Sequence, residues 1–466
     1  MAEMRLKAAE VIEATGGLLL SGDMGVVFSG VGTDSRTIGP GEIFVALKGP
    51  RFDGHDFVAS AIKAGASGAL VEDWPPGLNL FELHKAITII KVRDTLKALG
   101  DLASWWRKKL GLMVLAITGS CGKTTTKDIA AAIFASQWPT LKTEGNFNNL
   151  IGLPLTLLKA REGVKWAVLE MGANRPGEIA RLSEIASPDI GLVTNVAPAH
   201  LEGFGSLEGV YKAKGELYEA LSGKTAVVCQ DDKILHRLAL SRAKEVVTYS
   251  LSDPTATVTA EDIVQDEKGL AFVLSLGGKR LKVRLPLWGR HNVVNALAAS
   301  SCALAAGIPA EIIARGLAEV EGRTGRFYPV ALASGAVLID DTYNANPASV
   351  AAGLSAAREL ANGRPLVVVF ADMLELGEAS SQLHCQIAEE IYRVKPSLLL
   401  TYGEFASHTS QRAQELGLRT EHLNTKEKLF RTLAEALKRW PEAVILVKGS
   451  RSMGLDELCI RLREGG

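Results

Sequence analysis

Residues 115–134, LAITGSCGKTTTKDIAAAIF, leave the backbone few choices. The apolar run 112–118 reads as a strand buried on both faces, and such strands belong to parallel sheets covered by helices. The loop Gly119-Ser120-Cys121-Gly122 follows it, and Lys123-Thr124-Thr125 opens a helix expected to run to about Gln137. Loop amides and a helix N-terminus together offer N–H donors and the positive end of a dipole to phosphate oxygens. In that frame Lys123 neutralises the β- and γ-phosphates, and the Thr124 hydroxyl ligates Mg²⁺. The usual spacing, G-x-x-x-x-G-K-[ST], is incomplete, because Ile117 stands where its first glycine belongs. A tight strand-to-helix turn with an incidental lysine is the competing reading. The strand before and the helix after favour nucleotide binding.

Alternating strands and helices extend over the whole chain. Strand-like runs at 42–47, 68–72 and 86–92 surround a helical stretch at 55–64, and a helical connector follows at 93–110. In the middle region, apolar runs at 166–171, 190–196 and 225–229 continue the parallel pattern. Between 255 and 288 the pattern becomes short alternating runs about Gly277-Gly278, which predicts an antiparallel hairpin. An Ala-rich helix over 292–306 closes that region. After Gly322, strands at 337–340, 366–371, 397–402 and 443–447 alternate with helices at 348–360, 381–394 and 426–439. The expected fold is α/β in three domains. A small N-terminal α/β domain spans 1–86, and a central P-loop-type domain with a mostly parallel sheet spans 87–322. A C-terminal doubly wound, Rossmann-like domain spans 323–466.

Bulk composition narrows the function classes. Lys plus Arg and Asp plus Glu both number 52, so no basic excess points to nucleic acid. The five cysteines are scattered without CxxC spacing, which suits free thiols in a reducing cytosol. The opening MAEMRLKAAEVIEATGG has no signal-peptide apolar core, and no apolar run reaches the ~18 residues of a membrane span. The expectation is a cytoplasmic protein without membrane insertion.

Two further groups stand at strand ends. Glu170 ends WAVLEMGAN, and His200 follows DIGLVTNVAPAH. Ligands gather at the carboxyl ends of parallel strands, so both could reach the phosphates, and a carboxylate suits hard Mg²⁺. Taken alone, Glu170 reads equally as a solvated strand end and His200 as a hydrogen-bonded loop histidine.

TGSCGKTTTK, TEGNFNNLIGLPLTLL, LEMGANRPGEI, NVAPAHLEGFGSLEGVYKAKGELY, GRHNVVNALAA and DDTYNANPAS occur in this order, with TDSRTIGPGEIFVALKG and FDGHDF before them and VKGSRSMGLDEL after. In this set and order the chain resembles the Mur ligase family over nearly its whole length. That family's shorter G-x-x-G-K-T loop accounts for Ile117. Where the loop often carries Asn or Ser, this chain has Cys121, a thiol at a helix N-terminus that ATP would cover.

The resemblance implies a role for each matching residue. Lys123, Glu170, His200 and Lys214 would be the catalytic set. Thr124 and Glu170 would hold one magnesium ion between the β- and γ-phosphates, and His200 would help hold a second. Lys214, as a carbamate formed from CO₂, would be an oxygen ligand for magnesium. Lys212 beside it competes for that role; the K-x-x-[LIF]-[YF] ending selects Lys214. ATP would lie on Gly119, Ser120, Cys121, Gly122, Lys123, Thr124 and Thr125, with His291, Asn292 and Asn295 at adenine and Arg326 and Asp341 closing from the C-terminal domain. By residue type alone, Asn292 could as well cap a helix. Ser35 and Arg36 would recognise UDP, and Asn146, Asn148, Asn149, Tyr343, Asn344, Asn346, Ser450 and Arg451 would contact substrate.

The implied domain roles are UDP-substrate binding, ATP binding and ligation, in chain order. The implied activity is ATP-dependent amide ligation in peptidoglycan synthesis, with UDP-muramoyl-tripeptide and D-Ala-D-Ala as small-molecule substrates of a monomeric enzyme. The sister activity that adds diaminopimelate goes with a D-N-P-R motif, and this chain has YNANPAS there.

Overall fold

The computed structural model describes residues 4–76, 78 and 87–464. Three main sheets follow one another along the chain. In the N-terminal sheet the strands Val31–Gly32, Ile43–Val45, Gly68–Val71 and Thr88–Lys91 run parallel, and Leu18–Ser21 pairs antiparallel with Thr88–Lys91. The expected end of this domain, residue 86, lies outside the described residues. Thr88–Lys91 is bonded into the N-terminal sheet, so that unit continues at least to Lys91.

The central sheet has nine strands, and Met113–Thr118 lies inside it between Trp166–Glu170 and Ile190–Val193, both parallel to it. Its side chains alternate between two cores. Val114 and Ala116 pack with Leu99, Leu102, Leu153 and Leu157 on one face. Leu115 and Ile117 pack with Ile129, Ile133, Ala296 and Ala299 on the other. Burying an isoleucine contributes about 1.5–3 kcal/mol. The fully buried Ile117 therefore belongs to the strand, and the glycine loop begins two residues later. The alanines of Arg290–Ala305 bring that helix against Lys123–Ala135 and so close to the loop.

The hairpin forms as expected: Gly269–Leu276 pairs with Lys279–Leu285 across Gly277-Gly278, both at positive φ (55° and 77°), as a two-residue hairpin turn of this hand requires. The sequence pattern predicts no strand at Glu245–Ser250, and Val258–Asp266 falls in the stretch expected to form only a hairpin; together they join the hairpin to the parallel strands in one continuous sheet.

The C-terminal sheet has six strands, all parallel except the edge strand Tyr328–Ala331. Val337–Asp341 lies beside Val444–Lys448 in a register that sets Asp341 next to Lys448. The three-part α/β architecture matches the expectation. No described helix is long and apolar enough to cross a membrane.

Candidate active site

The carboxyl ends of Met113–Thr118, Trp166–Glu170 and Ile190–Val193 open onto a cleft of about 1260 Å³. It is lined from both the central and the C-terminal unit, and it is larger than an ordinary small-ligand pocket. Of the candidate site residues above, all except Gly119, Lys212, Lys214, Ser35 and Arg36 line it.

The loop conformation depends on its glycines. Gly119 has φ 142° and a Cβ there would collide with Thr194 Oγ1, while Gly122 has φ 77° against Asn295. Asn195 pins the loop: its backbone O accepts from Ser120 N (3.0 Å) and its Oδ1 from Cys121 N (2.9 Å). The Thr194 hydroxyl adds a bond to Cys121 O at 2.6 Å. Gly122 is the N-cap of Lys123–Ala135 and offers no side-chain acceptor. The first N–H groups of this helix are thus left to a ligand, at the positive end of its dipole. Lys123 folds over the loop and donates to Gly119 O at 2.8 Å. Burial pulls its pKa down, and the Glu170 charge opposes that.

Glu170 is buried. Its Oε1 accepts from Asn148 Nδ2 at 2.8 Å, and its Oε2 has no hydrogen-bond partner. A buried carboxylate oxygen without a donor is costly, and a divalent cation would satisfy it. Beneath it stands a residue the sequence reading passed over. Buried Lys127 donates to Thr143 O (2.7 Å), and Thr143 Oγ1 accepts the Glu170 N–H (3.0 Å). His200 sits in left-handed backbone at φ 51°, with Nδ1 2.5 Å from Glu375 Oε2 of the C-terminal unit.

Lys214, on Leu207–Glu219, is buried behind the cleft wall. Its Nζ lies 3.4 Å from Ala173 O and 5.1 Å from the Phe204 ring centroid. Burial first, and the Lys123 charge second, lower its pKa to about 7. Among the described residues, no three His, Cys, Asp or Glu side chains converge as a metal cage. A cation held by Thr124 and Glu170 would take its remaining ligands from phosphate and water.

Asn292 and Asn295 form a polar chain at the helix start: Thr126 Oγ1 donates to Asn295 Oδ1, Asn295 Nδ2 to Asn292 Oδ1, and Asn292 Nδ2 to Trp288 O. His291 packs edge-on against Phe327, and burial lowers its pKa to about 4, so it is neutral. From the C-terminal unit Arg326 stacks on Tyr343 at 3.7 Å and donates to Thr124 Oγ1 at 2.8 Å. Lys448, unassigned by the sequence reading, donates to Asp341 Oδ2 (2.6 Å) and Asn344 O (3.1 Å) from a buried position. Its position at the end of an apolar strand run was the available signal.

Several expected substrate residues also serve structure. Asn346 caps Pro347–Ala361, Asn149 Oδ1 accepts two backbone N–H groups at the start of Gly152–Leu158, and Ser450 Oγ accepts from Leu374 N. Arg451 pairs with Asp456 at 3.1 Å. Ser35 and Arg36 lie apart from the cleft in the N-terminal unit. There Arg36 makes a two-pronged contact with Asp34 and holds that carboxyl down at about 2.

Cys121 lines the cleft, and its Sγ donates to Asn346 Oδ1 at 3.1 Å. Bound nucleotide should cover it. Alkylation of the Cys121 peptide, followed by mass spectrometry, is expected to slow several-fold in Mg-ADP. Equal rates with and without Mg-ADP would show that nucleotide does not lie over this loop.

The chain matches the Mur ligase family, catalytic domain, over residues 27–107, the Mur ligase middle domain over 117–303, and the Mur ligase glutamate ligase domain over 325–451. It is 39% identical over 443 residues to the UDP-N-acetylmuramoyl-tripeptide–D-alanyl-D-alanine ligase of Escherichia coli K12, covering 95% of each chain. A crystal structure of MurF from Acinetobacter baumannii superposes with a TM-score of 0.89 at 33% identity, covering 100% of both chains. MurF from Thermotoga maritima in complex with ADP superposes with a TM-score of 0.81 at 27% identity, covering 93% of this chain and 97% of that one. The chain belongs to the Mur ligase family.

Proposed function

We propose that this protein is an ATP-dependent ligase joining D-Ala-D-Ala to UDP-N-acetylmuramoyl-tripeptide, giving the UDP-muramoyl-pentapeptide precursor of peptidoglycan, on which cell shape and division depend. The observation that carries this reading is the uncapped phosphate loop facing Glu170, whose Oε2 is buried without a partner. Similarity over 95% of the chain to a ligase of that specificity supports the substrates. The enzyme acts in the cytoplasm as a monomer. The N-terminal unit, which reaches at least Lys91, receives the UDP moiety through Ser35 and Arg36, the central unit up to 322 binds ATP, and 323–466 close over it and bring the amine.

The terminal carboxylate of the peptide attacks the γ-phosphorus of ATP, the bond to the bridging oxygen breaks, and ADP leaves an acyl phosphate behind. The amine of D-Ala-D-Ala then attacks the acyl carbon; inorganic phosphate departs and an amine proton is released. Such transfer depends on positioning and charge stabilisation more than on covalent help. The loop amides and Lys123 hold the phosphates, and Arg326 and Lys448 add positive charge from the opposite wall. Closure of the two lobes keeps water from the acyl phosphate. Magnesium carried with ATP, when bound, neutralises phosphate charge. Thr124 and Glu170 would hold one such ion and His200 would help hold a second, with Lys214, as its carbamate, a further oxygen ligand.

Substrate choice is the decisive measurement. In steady-state ADP release, D-Ala-D-Ala with the UDP-muramoyl-tripeptide is expected to exceed D-Ala, L-Ala and diaminopimelate by ~10²-fold or more in kcat/KM. A closed site leaves the partners of the missing amide and carboxylate unpaired, at ~1–3 kcal/mol each. Asn344, Asn346, Ser450 and Arg451 are the candidate partners. Preference for diaminopimelate with the UDP-muramoyl-dipeptide would transfer the chain to the sister activity.

A further inference from the structure

His200 and Glu375 meet across the cleft from different units, and both occupy left-handed backbone, at φ 51° and 64°. Non-glycine residues hold that conformation only where their surroundings impose it. The loops that carry them are joined: Glu202 N donates to Glu375 O at 3.5 Å, and Gly203 N and Phe204 N both donate to His200 O. The Phe204 ring stands edge-on to the imidazole, with centroids 6.5 Å apart.

The carboxylate lies 2.5 Å from His200 Nδ1, yet this buried nitrogen makes no aligned hydrogen bond. The distance is right and the angle is not, so a small rotation of either side chain completes the bond. No described residue pairs with the other ring nitrogen, Nε2.

We propose that Glu375 is a positioning residue for His200, and that it makes one metal ligand of the central unit depend on contact with the C-terminal unit. This rests on the proposed role of His200 at the metal. An imidazole that binds a cation through one nitrogen commonly donates its other N–H to a carboxylate, which fixes the tautomer and the ring orientation. Glu375 supplies that acceptor at Nδ1 and leaves Nε2 unprotonated, with its lone pair available. Because the acceptor comes from the opposite lobe, His200 is set for the cation only when the lobes are in contact. The acyl phosphate then forms only where water is already excluded.

The test uses Mn²⁺ as a spectroscopic probe and needs no turnover. Free Mn²⁺ is followed by electron paramagnetic resonance as it is titrated into the ADP complex of the full-length protein. E375A is expected to bind Mn²⁺ about 10-fold more weakly. E375Q, whose amide oxygen can still accept from Nδ1, should retain more of the affinity. Melting temperature and metal-free ADP binding should stay at wild-type values, since this side chain is more than half exposed and its ion-pair partner among the described residues is His200. Wild-type Mn²⁺ affinity in E375A, beside weakened affinity in H200A, would overturn the inference and leave His200 at the metal. Wild-type affinity in H200A would overturn the metal reading itself.

Discussion

Lys123→Ala is expected to abolish ligation while leaving the fold intact, with ADP release slower by at least ~10²–10³-fold. That factor corresponds to the ~2.7–4 kcal/mol lost when one preorganised donor to a developing charge is removed. The structure explains why the effect should fall on chemistry. Asn195 and Thr194 hold the loop through four bonds to Ser120 and Cys121, none of which involves the lysine side chain. Among the described residues the Lys123 ammonium hydrogen-bonds to the carbonyls of Gly119 and Ser120. Alanine is also a favourable residue for the first turn of Lys123–Ala135. Single-turnover ADP formation, with melting temperature and ADP affinity as controls, makes the measurement. Near-normal turnover in a folded variant would remove the phosphate loop from the mechanism.

Loss of activity is likewise expected for Lys214→Ala, with partial recovery in small carboxylic acids such as acetate. An ammonium group surrounded by the Phe204 ring and a helix interior is poorly solvated, and the nearby Lys123 charge disfavours it further. With its pKa lowered to about 7, the amine is largely neutral at pH 8, and its lone pair can attack CO₂. An N–C bond forms, a proton passes to water, and a donor becomes a carboxylate-like acceptor. Its only hydrogen bond among the described residues is the long one to Ala173 O, and the Glu178 and Glu216 charges that favour the ammonium are outweighed by burial. Labelled ¹³CO₂ should give a carbamate carbon resonance in the wild type that Lys214→Ala lacks. Full activity of Lys214→Ala without added acid would end the carbamate reading. So would a resonance that persists in the variant.

Much of the cleft lining was legible residue by residue, because the geometry of a glycine loop is local. A glycine loop between a buried strand and a helix must present amides. Glu170 ends an apolar run, where parallel strands deliver side chains to ligands; His200 instead lies beyond the strand Ile190–Val193, at the N-cap of Leu201–Phe204. The turn at Gly277-Gly278 and the helix over Arg290–Ala305 were likewise encoded in short stretches. Asn149 and Asn346 were harder to read, since the same side chain suits a helix cap and a substrate contact, and residue type does not choose between them.

Residue order and type therefore decided the α/β class, the glycine loop, the hairpin and the family resemblance, all of which depend on spacings of a few residues. Tertiary structure decided the rest. Whether Glu245–Ser250 and Val258–Asp266 extend the central sheet depends on which strands find each other, and hydrophobic runs do not specify their neighbours. Asp341 and Lys448 become a buried pair only because two strands 107 positions apart align in register. His200 meets Glu375, and Arg326 reaches Thr124, only because two separately folded units bring their strand ends to one cleft. A side chain's type and its local spacing travel with the sequence, but its long-range partner is set by the packing of whole elements, where many weak contacts act together.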